Sequence, residues 1–447
     1  MKKNYILLLT LAFGLFLRIY RLEELAGFDF DQEKAAFWIR DFLIHGKISL
    51  IGQEISTGGI FIGPLYFYLL SPFYFLLNMN PIAANILASL LGIISMFILY
   101  KIGQTLFGKK IGLIALFLFA ISFRLNFYDR TTAPSNLVML LSGLIFISLL
   151  KLKSGSKKWI FVIAACLGMG FSVHPTMAAL FLIVAIIMLF SKFKLDFKHY
   201  SLSALIILLF LSPLLLFDLR HNFLNFTGIL KVFSAGGFTL DSLFYKIGTN
   251  WQALITSLES LFLTKNIGGL AVLAVFFFTI RKQKQFDFKI KWFLIWLGIP
   301  FILLSFYPLN VPEYYFLLSF PIFLVFFAHW LYKIFKSRKL VLGGLLLVLA
   351  ISNLAQLASY DYLVSMKHKK DAVKFVAKSS GEENFNVNYW TNPGQKNGFD
   401  YLFWYYGKMP DESLKKGNRF VIALPVRKGI NKPNMIFGGI QVIRDDI

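Results

Sequence analysis

Long apolar runs alternate with short clusters of lysine and arginine along this 447-residue chain. Each hydrocarbon crossing of a bilayer takes ~20 mainly apolar residues, and the chain offers many such runs. Composition agrees: 57% of the residues are apolar, 17% aromatic and 15% charged, against roughly 25% charged in soluble domains. A soluble enzyme, a disordered chain and a fibrous protein are excluded. What remains is an all-α polytopic membrane protein.

The net charge of +23 would suggest nucleic acid on a soluble domain. Here the positives sit between apolar runs, as cytoplasmic loops facing anionic lipid require, so the expected partner is the membrane and not nucleic acid. Six clusters recur: Lys2-Lys3, Lys101 to Lys110, Lys151 to Lys158, Lys192 to Lys198, Arg281 to Lys291 and Lys333 to Lys339. Placing all six inside predicts eleven crossings, near 4–21, 81–101, 111–124, 135–150, 159–174, 176–191, 200–217, 267–280, 292–307, 316–332 and 340–357. The N-terminus then lies inside and the C-terminus outside. The run 60–77 would leave one basic cluster outside if it crossed. With Pro64, Pro72 and many aromatic rings it reads as a juxtamembrane helix pair on the outer surface, an ordinary crossing being the alternative.

The membrane domain is expected over 1–357, with a first outer loop at 22–80, and a small soluble α/β domain over 358–447. In that tail, 369–378 has helical spacing, and 385–391, 419–425 and 435–443 read as strands. Met1-Lys2-Lys3 and the apolar stretch behind it resemble a signal peptide but lack a small-residue cleavage site, which favours an uncleaved first span. The single cysteine, Cys166, lies in an apolar run, so the chain has no internal disulfide and no cysteine metal site.

Ionisable groups are scarce in the spans and gather at their outer ends: Asp29, Asp31 and Glu33; Arg124, Asp129 and Arg130; His174; Asp218, Arg220 and His221; Glu313, Tyr314 and Tyr315. Behind Asp31, the residues Ala35, Trp38, Ile39, Phe42 and Leu43 recur at helical spacing, which predicts an interfacial amphipathic helix with Asp31 at its N-cap. Asp31 is then a cap or a functional acid. Glu33 complements the dipole of the first turn. Arg124 and Arg130 are membrane anchors or phosphate ligands, since the guanidinium fork matches phosphate. Asp218, Arg220 and His221 form a polar span boundary or part of a site. His174 bonds backbone at the interface or binds ligand, and Glu313-Tyr314-Tyr315 belong to an aromatic belt or the site.

Five stretches resemble the GT-C superfold of integral-membrane glycosyltransferases, which includes the protein O-mannosyltransferases and the aminoarabinose transferases. They are LRIYRL at 17–22, FDFDQEKAAFWIRDFL at 28–43, GPLYFYLLSPFY at 63–74, YDRTTAPSN at 128–136 and LFDLRHNF at 216–223. The resemblance covers about residues 1–330. It implies that Asp31 is similar to the family's catalytic aspartate, and that Arg130 and Arg220 face the phosphate of a polyprenyl-phosphate sugar donor. Lys34, Tyr66, His174, His221, Glu313 and Tyr315 are the further substrate-binding candidates. The acceptor it implies is a protein, lipid or glycan hydroxyl. Departures from the family are Lys34 where an arginine is common, Ile62 and Gly63 where an acid or polar residue often precedes the Pro-Leu-Tyr helix, and Ala133 where an acid often follows the third span, unless Asp129 substitutes. A divalent cation could share the phosphate charge, but the sequence offers no clear ligand set.

A rival class is a transporter or flippase of lipid-linked sugar, which predicts a polar path and repeat symmetry that the chain does not display. A scaffold with a binding tail is a third, and it leaves the acid and base clusters of the first loop unexplained. The topology has a direct check. In a Cys166→Ser background, a membrane-impermeant thiol reagent added outside should label Ser413→Cys and not Ser156→Cys. Labelling at position 156 would invert the assignment.

Overall fold

The computed structural model describes residues 4–55, 58–234, 240–262, 273, 277, 287–307, 309–392, 394–414, 417–430 and 433–445. The chain is mostly helical, with a four-stranded sheet at its end. Among the described residues, six helices are long and apolar enough to cross a membrane: Ile82–Phe107, Asn136–Lys153, Phe197–Arg220, Phe288–Ser305, Glu313–Phe335 and Lys339–Ser359. Shorter apolar helices include Tyr5–Ile19, Trp159–Gly170 and Pro175–Ser191. The expected crossing at 267–280 falls outside the described residues, apart from Leu273 and Phe277.

Asn136–Lys153 and Glu313–Phe335 are mostly enclosed by protein, whereas Phe197–Arg220 and Lys339–Ser359 leave most of their surface uncovered. The first pair forms the centre of the bundle and the second pair its rim. Helix Ile82–Phe107 turns back into Lys109–Ile121 through Gly108, whose φ of 96° suits glycine. The two helices touch where a Cβ on Gly103 would lie 2.8 Å from the Cα of Gly112. Such small-residue contacts let helix backbones approach closely in a bilayer.

The first loop, over 22–80, carries helices Leu22–Leu25, Phe30–His45 and Leu65–Leu76. The last runs as one helix through Pro72, not as a broken pair. Its 12 residues extend about 18 Å, short of a ~30 Å hydrocarbon core. Trp38 and Phe42 of the amphipathic helix pack on Phe67 and Tyr68, with ring centroids 4.9 to 5.2 Å apart. The outer stretch after Arg220, expected as a loop, contains helices Leu224–Ser234 and Leu240–Ser260.

In the tail, helix Met366–Ser379 precedes strands β1 (Asn386–Thr391), β2 (Arg419–Leu424), β3 (Asn434–Phe437) and β4 (Ile440–Arg444). Their order is β1-β2-β4-β3, with β1 parallel to β2 and the other pairs antiparallel. The single strand expected over 435–443 is a hairpin, because Gly438-Gly439 form a two-residue turn with φ +57° at Gly438. A helix between β1 and β2, Phe399–Tyr405, was not expected.

The tail docks on the first loop. Lys367 pairs with Glu24 at 2.8 Å, Lys370 with Glu23 at 2.6 Å and the buried Lys369 with Asp29 at 2.6 Å. Lys369 also donates to the carbonyls of Phe28 and Asn397.

A buried ion pair ties the first helix to the bundle. Arg18 and Asp129 are 0% and 2% exposed, and Nη2 lies 2.6 Å from Oδ2. Nε donates to the same oxygen at 2.7 Å. A Cβ on Gly92 would sit 2.3 Å from that oxygen and 2.9 Å from the Arg18 Nε, so glycine makes the room. Asp129→Ala should therefore destabilise by about 3–5 kcal/mol, the usual cost of stranding a buried charge. Gly92→Ala should also lower the melting temperature in detergent. A melting temperature unchanged in both variants would show that the pair does not hold the fold.

Candidate active site

The structure moves the N-cap of helix Phe30–His45 from Asp31 to Asp29. A capping box forms between Asp29 and Gln32, and the Gln32 side chain accepts from the Asp29 backbone N at 3.0 Å. The Asp-x-x-Gln spacing 29–32 thus outcompetes Asp31 for the cap. Asp31 is left in the first turn with its carboxylate half-buried, accepting from Gln53 Nε2 at 2.6 Å. Burial raises its carboxyl above the ordinary carboxylate range. Lys34 and the Gln53 bond act the other way, while Asp29 adds to the rise.

Gln53 comes from a short backbone ladder. Gly52 N donates to Ile62 O, Ile62 N to Gln53 O, and Ile55 N to Ile60 O. The ladder leans on helix Phe197–Arg220 through the Phe61 and Phe217 rings, and its Phe61 N donates to Asn225 Oδ1. Gly63 N donates to Phe171 O beside His174.

A second wall comes from the 3-10 helix Glu313–Ser319. The His174 ring lies 4.9 Å from Tyr315 and 6.0 Å from Tyr314. Glu313 accepts from the Tyr128 hydroxyl at 3.4 Å and meets Arg124 at 3.4 Å. The Tyr314 phenol lies within electrostatic reach of both Asp31 and Glu313. Asp31, His174, Glu313 and Tyr315 therefore gather in one region, together with Tyr314, Tyr128 and Gln53. Gln53 carried no signal in the sequence, because its role depends on a contact 22 residues away.

Other candidates stand elsewhere. Arg130 is 2% exposed, and its guanidinium donates to the carbonyls of Leu17, Arg18 and Tyr20 at the end of the first helix. It caps those orphan carbonyls, a structural role that the sequence did not suggest. Tyr66 is fully buried and packed in the core. Glu33, expected to serve its own helix, accepts instead from Tyr401 N at 2.9 Å and so caps helix Phe399–Tyr405 of the tail. Arg220 and His221 are exposed at the end of their helix, with the His221 ring stacked 4.2 Å from Phe217. Lys34 is exposed, its ammonium 4.0 Å from the Phe30 ring centroid. Asp218 accepts from the backbone of Asn225 and Phe226 and so caps the following helix.

Among the described residues, no three His, Cys, Asp or Glu side chains converge as metal ligands.

Residues 62–217 match the sequence profile of the dolichyl-phosphate-mannose-protein mannosyltransferases. No curated protein matches the chain in sequence. Among solved structures, the chain is similar to ArnT from Cupriavidus metallidurans bound to undecaprenyl phosphate. The identity is 11%, covering 99% of this chain and 98% of that one, with a TM-score of 0.61. The apo state of the same protein gives 12% and 0.60. It is also similar to the Archaeoglobus fulgidus oligosaccharyltransferase in complex with Zn and sulfate, at 13% identity over 94% of this chain and 67% of that chain, with a TM-score of 0.55. The likeness to ArnT takes in the tail, beyond the motifs at 1–330.

The two arginines separate in a melting experiment. Arg130→Ala strands buried carbonyls, each costing about 1–3 kcal/mol, and should clearly lower the melting temperature. Arg220→Ala at the exposed helix end should stay within about 0.5 kcal/mol of the parent. Equal stability of the two variants would count against the capping role of Arg130. The chain is thus a membrane protein that shares the fold of ArnT over nearly its whole length and, over 62–217, the sequence profile of the dolichyl-phosphate-mannose-protein mannosyltransferases.

Proposed function

We propose that this protein is an inverting glycosyltransferase that moves a sugar from a polyprenyl-phosphate donor to an acceptor hydroxyl at the outer membrane surface. Asp31 carries the proposal. It is an acid at the start of the loop helix, released from capping by Asp29, bonded to Gln53 and within electrostatic reach of Tyr314. Its carboxylate takes the proton of the acceptor hydroxyl. The acceptor oxygen bonds to the anomeric carbon as the bond from that carbon to the phosphate oxygen breaks. The electron pair leaves on the polyprenyl phosphate, which needs no general acid. Cations near the departing phosphate stabilise the charge that develops there. Arg220, exposed at its helix end, is assigned that task, with Lys34 and His221 beside the substrate and Tyr315 and Glu313 in the sugar wall. The similarity in fold to ArnT, whose structure holds undecaprenyl phosphate, supports the lipid class of the donor.

Asp31→Asn keeps the size of the side chain and leaves the Asp29 cap intact, so folding should survive. Loss of a base costs about 10²–10⁴-fold in rate, so transfer by purified Asp31→Asn should fall at least ~100-fold. Glu33→Gln, which can still accept from Tyr401 N, should lose much less. The base works only when ionised, so transfer should rise with pH through the raised folded-state pKa of Asp31. The acid limb then stands above the ~3.9 of a free aspartate. Gln53→Leu removes a bond that favours the ionised form and should move that limb to higher pH. Near-native transfer by Asp31→Asn would refute the assignment.

A further inference from the structure

At the end of the bundle opposite Asp31 lies a cavity of about 320 Å³ between helices Ile82–Phe107, Asn136–Lys153 and the start of Trp159–Gly170. Asn85, at the outer end of the first of these helices, donates to Arg130 O. The cavity residue Lys101 lies sixteen positions further on, roughly 24 Å along the axis.

The lining is graded along both long helices. Phe97 and Ile98 come first, followed by Lys101, Gln104 and Thr105. On the neighbouring helix, Leu144 and Ile147 precede Lys151. Apolar side chains thus lie one to two turns deeper than the polar ones on each wall. Trp159 closes the polar end, the place an interfacial indole prefers. Lys101 contacts Gln104 Oε1 at 3.3 Å and the Phe97 and Tyr100 rings. Among the described residues neither Lys101 nor Lys151 has an acidic partner within 4 Å. By contrast, lysines 367, 369 and 370 at the other end are each paired with an acid.

We propose that this cavity is a binding site for one anionic glycerophospholipid, with its acyl chain against Phe97, Ile98, Leu144 and Ile147 and its phosphate between Lys101 and Lys151. A fatty chain fits the deep half, and the two ammonium groups supply charge complementarity at the headgroup level, where basic pockets between membrane helices hold anionic lipid. Gln104 and Thr105 add hydrogen bonds to the phosphate or the glycerol. The site is separate from the donor site and makes no use of the transfer chemistry.

The test uses the full-length protein in vesicles carrying dibrominated phosphatidylglycerol or dibrominated phosphatidylcholine. The signal is quenching of the Trp159 share of the fluorescence, taken as wild type minus Trp159→Phe. Two lysines at the headgroup should favour phosphatidylglycerol roughly 30-fold. Lys101→Gln with Lys151→Gln should bring the preference to about one, whereas Lys192→Gln with Lys194→Gln, in another basic cluster, should keep it. Native mass spectrometry of retained phosphatidylglycerol makes the same comparison without relying on Trp159. Equal quenching by both lipids in the wild type, or a preference that survives in the Lys101 and Lys151 variant, overturns the proposal. Excess inorganic phosphate should leave the preference unchanged. Its loss would mean a soluble anion site and would equally overturn the lipid assignment.

Discussion

Burying a charge costs several kcal/mol unless a partner and further hydrogen bonds are at hand, and a bilayer offers no water to soften that cost. The knot of Arg18, Asp129 and Arg130 meets the condition at the outer end of the first helix. Arg18 gives two nitrogens to Asp129 and a third to Gly14 O. Arg130 takes up the carbonyls that end the same helix. Asn85 then holds the Arg130 backbone, and Gly92 leaves the space for the Asp129 carboxylate. Three helices are thereby fixed at the level from which the first outer loop departs. Because that loop begins right after Arg21, its acids can be placed only if the knot holds.

The tail continues the same logic. Lys367, Lys369 and Lys370 take Glu24, Asp29 and Glu23, and Glu33 caps helix Phe399–Tyr405. Exposed pairs of this kind contribute little singly. Lys369 is different, for its ammonium is buried and bonded to two carbonyls besides Asp29. The loop helix is therefore gripped on its tail side by Asp29 and Glu33 and on its membrane side by Trp38 and Phe42. Asp31, between these anchors, sits on a rigid support.

The sequence made legible whatever rests on local pattern. Helical spacing over 30–45 gave the interfacial helix, alternation gave β1 and β2, and long apolar runs gave the central spans. What it hid depends on distant partners. Nothing near Arg130 shows that its fork would meet carbonyls more than a hundred residues earlier. Nothing near Glu33 shows that it would cap a helix 368 positions on. Asp29 displaced Asp31 as cap through a capping box that was present in the sequence as Asp-x-x-Gln, a signal outweighed by the acid beside it. The hairpin at Gly438-Gly439 was readable in the same way, from two glycines inside an apolar alternation. The candidate site residues divide in the same way. Asp31 stands out by its place before an amphipathic helix, while Gln53 has no mark of its own.

Pairing also sorts the outer charges by task. Asp129, Arg18 and Arg130 are spent on the bundle; Glu23, Glu24, Asp29 and Glu33 on the tail; Asp218 on the start of helix Leu224–Ser234. Glu313 is shared between Arg124 and Tyr128. Asp31 forms no ion pair among the described residues, and neither do Lys34 and Arg220. Among the candidate site residues, Asp31, Lys34 and Arg220 are therefore the charges taken up neither by an ion pair nor, like Arg130, by backbone carbonyls, and the proposed function assigns them to the acceptor's hydroxyl and the donor's phosphate. An acceptor proton needs an unpaired carboxylate, because a cation already bound to it lowers its basicity. A leaving phosphate needs cations not already satisfied by acids. The unpaired candidates are of the sign that the proposed transfer requires.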